Sequence, residues 1–108
     1  MADDLYALEK LAEAVDALVT GAGRVHERLF EAAKFLIRIR PEDIPDGELR
    51  RLFVDLMNTL KSEPTEGDEG SITATLRGKS EDEAGTIARL IYELYGLLAA
   101  APLGRPLV

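Results

Sequence analysis

Four arginines around one proline-rich turn form the group of residues best suited to bind a small anion. A guanidinium group offers a planar fork of N–H donors that matches a phosphate or a carboxylate. If the helices on either side of the turn lie antiparallel, these groups would converge into an anion or nucleic-acid site that an enzyme could use. The four side chains are those of Arg38, Arg40, Arg50 and Arg51.

The same turn also carries enough acid to neutralise this arginine cluster. Arg38 and Arg40 lie at the end of a predicted helix, where the helix dipole favours cations without any ligand. The carboxylates in the same segment are those of Glu42, Asp43, Asp46 and Glu48. Because ion pairs of this kind are common on protein surfaces, we favour paired surface arginines over an anion site.

A second charged group is the acidic segment formed by Glu66, Asp68 and Glu69. Its glycines, Gly67 and Gly70, give it a superficial likeness to a calcium loop. An EF-hand needs oxygen ligands at set alternating positions, a central glycine and a terminal glutamate, and that order is missing here. We therefore predict a solvent-exposed loop, which could dock a basic partner.

The usual catalytic and cofactor motifs are missing from the sequence. The chain has no cysteine, which excludes thiol catalysis and cysteine-ligated zinc. The single histidine, His26, has no base or metal ligand three or four positions away, where a helix would bring one close. Those positions hold Ala22, Gly23, Leu29 and Phe30. We predict a surface or boundary histidine, no catalytic residue, no metal and no cofactor.

The overall composition indicates one acidic globular domain. The 108 residues are 46% hydrophobic and 31% charged, with a net charge of −7. An acidic surface repels phosphate backbones, so nucleic acid is disfavoured as a partner. The first residues are acidic where a signal peptide is basic, and no apolar run approaches the ~20 residues of a membrane span. We expect a cytoplasmic domain over residues 1–100, followed by a tail over residues 101–108.

The elements that position these residues are helices, because apolar residues recur at steps of three and four. The longest stripe is Leu8, Leu11, Val15, Leu18, Ala22, Val25, Leu29, Ala32, Leu36 and Ile39. Two glycines within the stripe weaken a helix, so we predict one helix over residues 3–19 and a second over residues 24–39. One continuous helix is the alternative, since the stripe passes through Ala22 without a change of phase.

The second half of the chain predicts two long helices and one short one. The first begins at Pro45 or Asp46 and runs to Leu60, and residues 61–70 read as a loop. The segment 71–77 has both strand and helix features; we predict a short helix because a strand would have no partner. Ser80 and Glu83 form a capping box, which places the last helix between there and Ala100.

The predicted fold class is all-α, with the four longer helices in a bundle. Short connections between the first three helices favour antiparallel neighbours. The simplest closed arrangement is a four-helix up-and-down bundle, with the short extra helix in the link before the last helix.

Apolar residues outside the main stripe of the last helix give the best indication of function. Leu90, Tyr92 and Leu97 fall away from that stripe, and Leu103 and Leu107 follow in the tail. A single core does not account for them, so we predict a second buried surface that a partner chain or the tail covers. A homodimer formed through the first or the last helix would supply such a partner.

The sequence therefore predicts a small non-enzymatic helical module for interaction or regulation, most simply a homodimer. One alternative is an antitoxin-like or defence-associated accessory protein, whose acidic segment masks a basic partner. The other alternative is an anion- or nucleic-acid-binding enzyme that uses the arginine cluster.

Overall fold

A computed structural model describes residues 4–65 and 67–100, and this part of the chain is all-α without a strand. The all-α prediction is therefore confirmed. A short 3-10 turn, Pro41–Asp43, separates the second and third of five α-helices. The helices are α1 Asp4–Thr20, α2 Val25–Leu36, α3 Glu48–Leu60, α4 Asp68–Arg77 and α5 Glu81–Ala100.

The glycines after α1 do break the long apolar stripe, as predicted. Gly23 has a φ of +93°, a left-handed conformation that side chains with a Cβ rarely adopt. The chain turns there, and α2 starts two residues later. One position of the stripe departs from the expectation. Ala22 is exposed, because it lies in the turn rather than on either helix.

The connection between α2 and α3 is longer than the sequence suggests. Helix α2 ends at Leu36, three residues before the predicted end, and the chain tightens into turn geometry before Pro41. Helix α3 begins only at Glu48, because Gly47 before it has a φ of +117° and cannot be part of a helix. Proline at position 41 suits the first position of the 3-10 turn, where no N–H donor is needed.

The ambiguous segment before α5 is a helix, and it starts three residues earlier than predicted. Two of its side chains face inward and bind the preceding link. The hydroxyl of Ser71 donates to the carbonyl oxygen of Glu63 at 2.6 Å. The backbone N–H of Glu63 donates to the Thr75 hydroxyl oxygen at 3.0 Å. Ser71 and Thr75 are both buried, so these bonds hold the link against α4.

Removing the Thr75 hydroxyl is expected to destabilise the fold. Thr75→Val keeps the shape of the side chain but leaves the N–H of Glu63 without its acceptor, at a cost of about 1–3 kcal/mol in unfolding free energy. Thr73→Val is the matched control, because the Thr73 hydroxyl only bonds the carbonyl of Glu69 within the same helix, on the exposed side. Urea unfolding of both variants measures the difference. If both variants lost the same unfolding free energy, the hydrogen bond between Thr75 and Glu63 would not be what holds the link against α4.

The capping box of α5 is confirmed in both of its hydrogen bonds. The N–H of Ser80 donates to the Glu83 carboxylate at 2.8 Å, and the N–H of Glu83 donates to the Ser80 hydroxyl at 3.1 Å. The hydrogen bonds from Ser80 lower the pKa of Glu83 below its ordinary value. The carboxylate therefore stays ionised and keeps the cap intact at neutral pH.

Helices α1, α2 and α3 all pack on α5. Helix α1 packs chiefly on α2, and α4 packs on α2 and α3. Helix α3 has α5 as its main neighbour, so the four-helix up-and-down order is not confirmed. The face of α5 that was predicted to be buried does form part of the core. Its fully buried residues are Ala84, Ile87, Ile91, Leu94 and Leu98.

Candidate functional site

An apolar groove runs between α3 and α5 and has a volume of about 140 Å³. Its floor consists of Leu56 and Leu94, which belong to the core. Its walls are three leucines that remain accessible to solvent: Leu52, Leu90 and Leu97 have exposed fractions of 37%, 42% and 50%. Three large aliphatic side chains around one groove form a continuous apolar patch, which is the kind of surface that a partner covers.

The two helices contribute to the groove through the same short sequence pattern. Arginine, leucine, any two residues, an acid and leucine follow one another at residues 51–56 and again at residues 89–94. In a helix the first, second and fifth positions of this pattern lie side by side, because one turn takes 3.6 residues. In both copies the arginine, the first leucine and the acid are exposed, and the second leucine is buried.

The charged residues of this pattern remain available for a partner. Within the described residues, Arg51, Asp55, Arg89 and Glu93 form no ion pair. An arginine four residues before an acid is the less favourable order for pairing along a helix, which is consistent with this. Asp55 and Glu93 line the groove itself. Arg51 and Arg89 do not line the groove and lie one helical turn before these acids on the same two helices.

The structure brings together two of the predicted interface residues, Leu90 and Leu97. It adds Leu52, which the sequence analysis did not single out. Tyr92 is exposed but does not line the groove, because two residues correspond to a rotation of about 200° around the helix. Leu103 and Leu107 lie outside the described residues. The repeated pattern in the sequence marks Leu52 and Leu90 as equivalent positions on their helices, but only the packing of α3 on α5 brings the two side chains to one groove.

The arginine cluster is partly engaged in holding its own turn. Arg40 pairs with Asp43 at 3.4 Å, and this hydrogen bond raises the pKa of the guanidinium. Arg50 donates to the carbonyl oxygen of Ile44 at 3.0 Å and pairs with Asp46 at 3.4 Å. Arg38 and Arg51 are exposed. The anion site stays a prediction, although two of its four guanidiniums already have partners.

The acidic segment is not the continuous loop that we predicted. Asp68 and Glu69 form the first turn of α4, where carboxylates are favoured by the helix dipole. Asp68 also lies 3.6 Å from the ammonium group of Lys61. Glu66 lies outside the described residues. Docking of a basic partner on this segment stays a prediction.

His26 lies half-buried at the start of α2, as predicted for a boundary histidine. Its Nε2 is 2.7 Å from the carbonyl oxygen of Lys79, to which it donates a hydrogen bond. This bond joins α2 to the turn between α4 and α5. Among the described residues, no three His, Asp or Glu side chains are placed to hold a metal ion. The described helices include none with the length and apolar character to cross a membrane.

Comparison of the chain with protein-family models, with curated proteins and with solved structures finds no match.

Proposed function

We propose that this protein is a non-enzymatic helical interaction module that forms a homodimer through the α3–α5 groove. The observation that carries the proposal is the set of partly exposed Leu52, Leu90 and Leu97 above a buried leucine floor. Burying a fully exposed leucine side chain is favourable by about 1.5–3 kcal/mol, so covering these three partly exposed leucines supplies roughly half of that for each.

A second copy of the chain is a suitable partner because the rim is complementary to itself. In a two-fold dimer the same patch meets itself, so every positive group needs a negative group on the same surface. The two arginine–leucine–acid patterns supply this just outside the groove, where Arg51 and Arg89 precede by one helical turn the lining acids Asp55 and Glu93. A purely acidic or purely basic rim would oppose self-association.

The interface must extend beyond the groove. A stable dimer buries about 800 Å² on each partner, which is more than three leucines provide. The outer face of α5 offers the additional length, since a helix of 20 residues spans about 30 Å. We therefore place the centre of the interface at Leu90 and Leu97 and its rim at the flanking charges.

Reversing one rim charge tests this interface against a general charge effect. Arg89→Glu places like charges at two symmetry-related points, so we expect the dimer to weaken roughly tenfold at low salt. The matched control is Arg38→Glu, which makes the same charge change at an exposed arginine away from the groove. Sedimentation equilibrium at low and high salt measures both. Equal weakening by the two variants would overturn the proposed position of the rim.

A further inference from the structure

A second groove, between α2 and α4, has the size and composition of a ligand site. Its volume is about 690 Å³, within the range of pockets that hold small molecules. Phe30 from α2 and Leu76 from α4 give it an apolar wall on each side. None of the three leucines of the α3–α5 groove lines it, so this site is separate from the proposed dimer interface.

Two contacts hold the mouth of this groove in a fixed shape. His26 on α2 donates to the carbonyl oxygen of Lys79 at 2.7 Å. Arg24, which precedes α2, pairs with Glu81 at 2.8 Å. The first contact joins α2 to the turn before α5, and the second joins the residue before α2 to the first residue of α5. Contacts that restrain the groove lower the entropic cost of binding a ligand.

The acids that line the groove already have partners. The Glu27 carboxylate accepts from the backbone N–H of Arg24 at 3.2 Å and caps α2. Glu31 pairs with Lys34 at 2.9 Å. The charge of Glu31 is therefore compensated, whereas Glu27 keeps its negative charge.

The lining cations include two that form no ion pair, although the charge of Lys79 contributes to lowering the pKa of Glu83. Arg77 is exposed and Lys79 is half-buried, and within the described residues neither side chain forms an ion pair. Three cations and two acids line the groove, so its lining carries a net charge of +1, although the whole chain carries −7. Positive groups beside an apolar wall suit a molecule with an anionic head and an apolar body.

We propose that this groove binds a small organic anion with an apolar body. Arg77 and Lys79 hold its carboxylate or phosphate group, and its body packs against Phe30 and Leu76. The site is independent of the dimer interface, so either proposal can fail without the other.

Nuclear magnetic resonance titration with naphthalene probes tests this site. We expect 2-naphthoate or 2-naphthyl phosphate to shift the backbone amides of Thr73 and Leu76 saturably at millimolar concentration. The probe that binds more tightly shows whether the site prefers a carboxylate or a phosphate. The cationic analogue 2-naphthylmethylammonium has the same ring and is expected to bind at least tenfold more weakly. Shifts at Leu90 and Leu97 instead would overturn the proposal, as would equal binding of the cation or no binding of either anion.

Two double variants with the same net charge distinguish the effect of the groove's own cations on binding from the effect of the net charge of the protein. Arg77→Gln with Lys79→Gln is expected to weaken binding of the anionic probe at least tenfold, because it removes both head-group partners. Arg38→Gln with Arg40→Gln removes the same charge from exposed positions that line neither groove and is expected to change the affinity less than twofold. Unchanged spectra of the free variants verify folding. Equal weakening by the two pairs would overturn the proposal.

Discussion

Replacing Leu90 by glutamate is expected to convert the dimer into a monomer. Leu90 lies in the wall of the α3–α5 groove, where the proposed interface is most completely dehydrated. A carboxylate at this point loses the apolar contact and places two charges in the interface, one from each copy. Hot-spot residues cluster at the centre of an interface and cost about 2 kcal/mol or more when they are lost, and a loss of this size raises the dimer Kd about thirtyfold. Sedimentation velocity over a concentration series measures the change.

Val19→Glu is the control for this experiment. Val19 is a strongly exposed aliphatic residue on α1, and it does not line the groove. If the interface is the α3–α5 groove, this variant keeps the affinity of the natural protein. If Val19→Glu dissociates the dimer and Leu90→Glu does not, α1 forms the interface. The sequence predicts this first helix as the alternative to the last one.

Replacing Asp43 by alanine is expected to lower the free energy of unfolding by about 3 kcal/mol. Asp43 is only 2% exposed, and its carboxylate accepts from the backbone N–H of Arg40 at 3.0 Å and from the Arg40 guanidinium at 3.4 Å. Alanine leaves the N–H without this acceptor and removes atoms from a packed turn. The 3-10 turn joins α2 to α3, so its loss also affects how α3 is placed against α5.

Two further variants identify why Asp43→Ala lowers the free energy of unfolding. Asp43→Asn keeps an acceptor oxygen and the volume, so we expect it to cost less than alanine does. Asp46→Ala removes a carboxylate from the same segment that is 91% exposed and pairs with Arg50 at 3.4 Å. Such a pair is worth at most about 1 kcal/mol. If denaturant unfolding gave Asp43→Ala and Asp46→Ala equal costs, the buried carboxylate would not be what holds the turn.

Local patterns in the sequence are sufficient to predict most of the helices. The capping box at Ser80 and the glycine at position 23 act within a few residues, so their structural effects can be recognised without knowledge of the tertiary fold. The start of α4 was missed for the opposite reason. Residues 68–70 are typical of a loop by composition, but they form the first turn of a helix whose Ser71 and Thr75 bind Glu63 in the preceding link. That contact depends on tertiary packing.

The sequence predicts the exposed leucines that α5 contributes to the groove but not the one that α3 contributes. Leu90 and Leu97 could be identified because they fall outside the apolar stripe of their own helix. Leu52 follows the stripe of α3, so periodicity assigns it to the core, whereas the structure leaves it partly exposed. Its position beside the other two depends on α3 packing against α5, which no local pattern shows.

The most direct test of the proposed function is the mass of the untagged protein in solution. Native mass spectrometry and sedimentation velocity at micromolar concentrations are expected to give twice the 11.8 kDa mass of one chain. The same measurement on Leu90→Glu is expected to give the mass of one chain. A natural protein that remains a monomer up to several hundred micromolar would contradict the proposal that the α3–α5 groove binds a second copy.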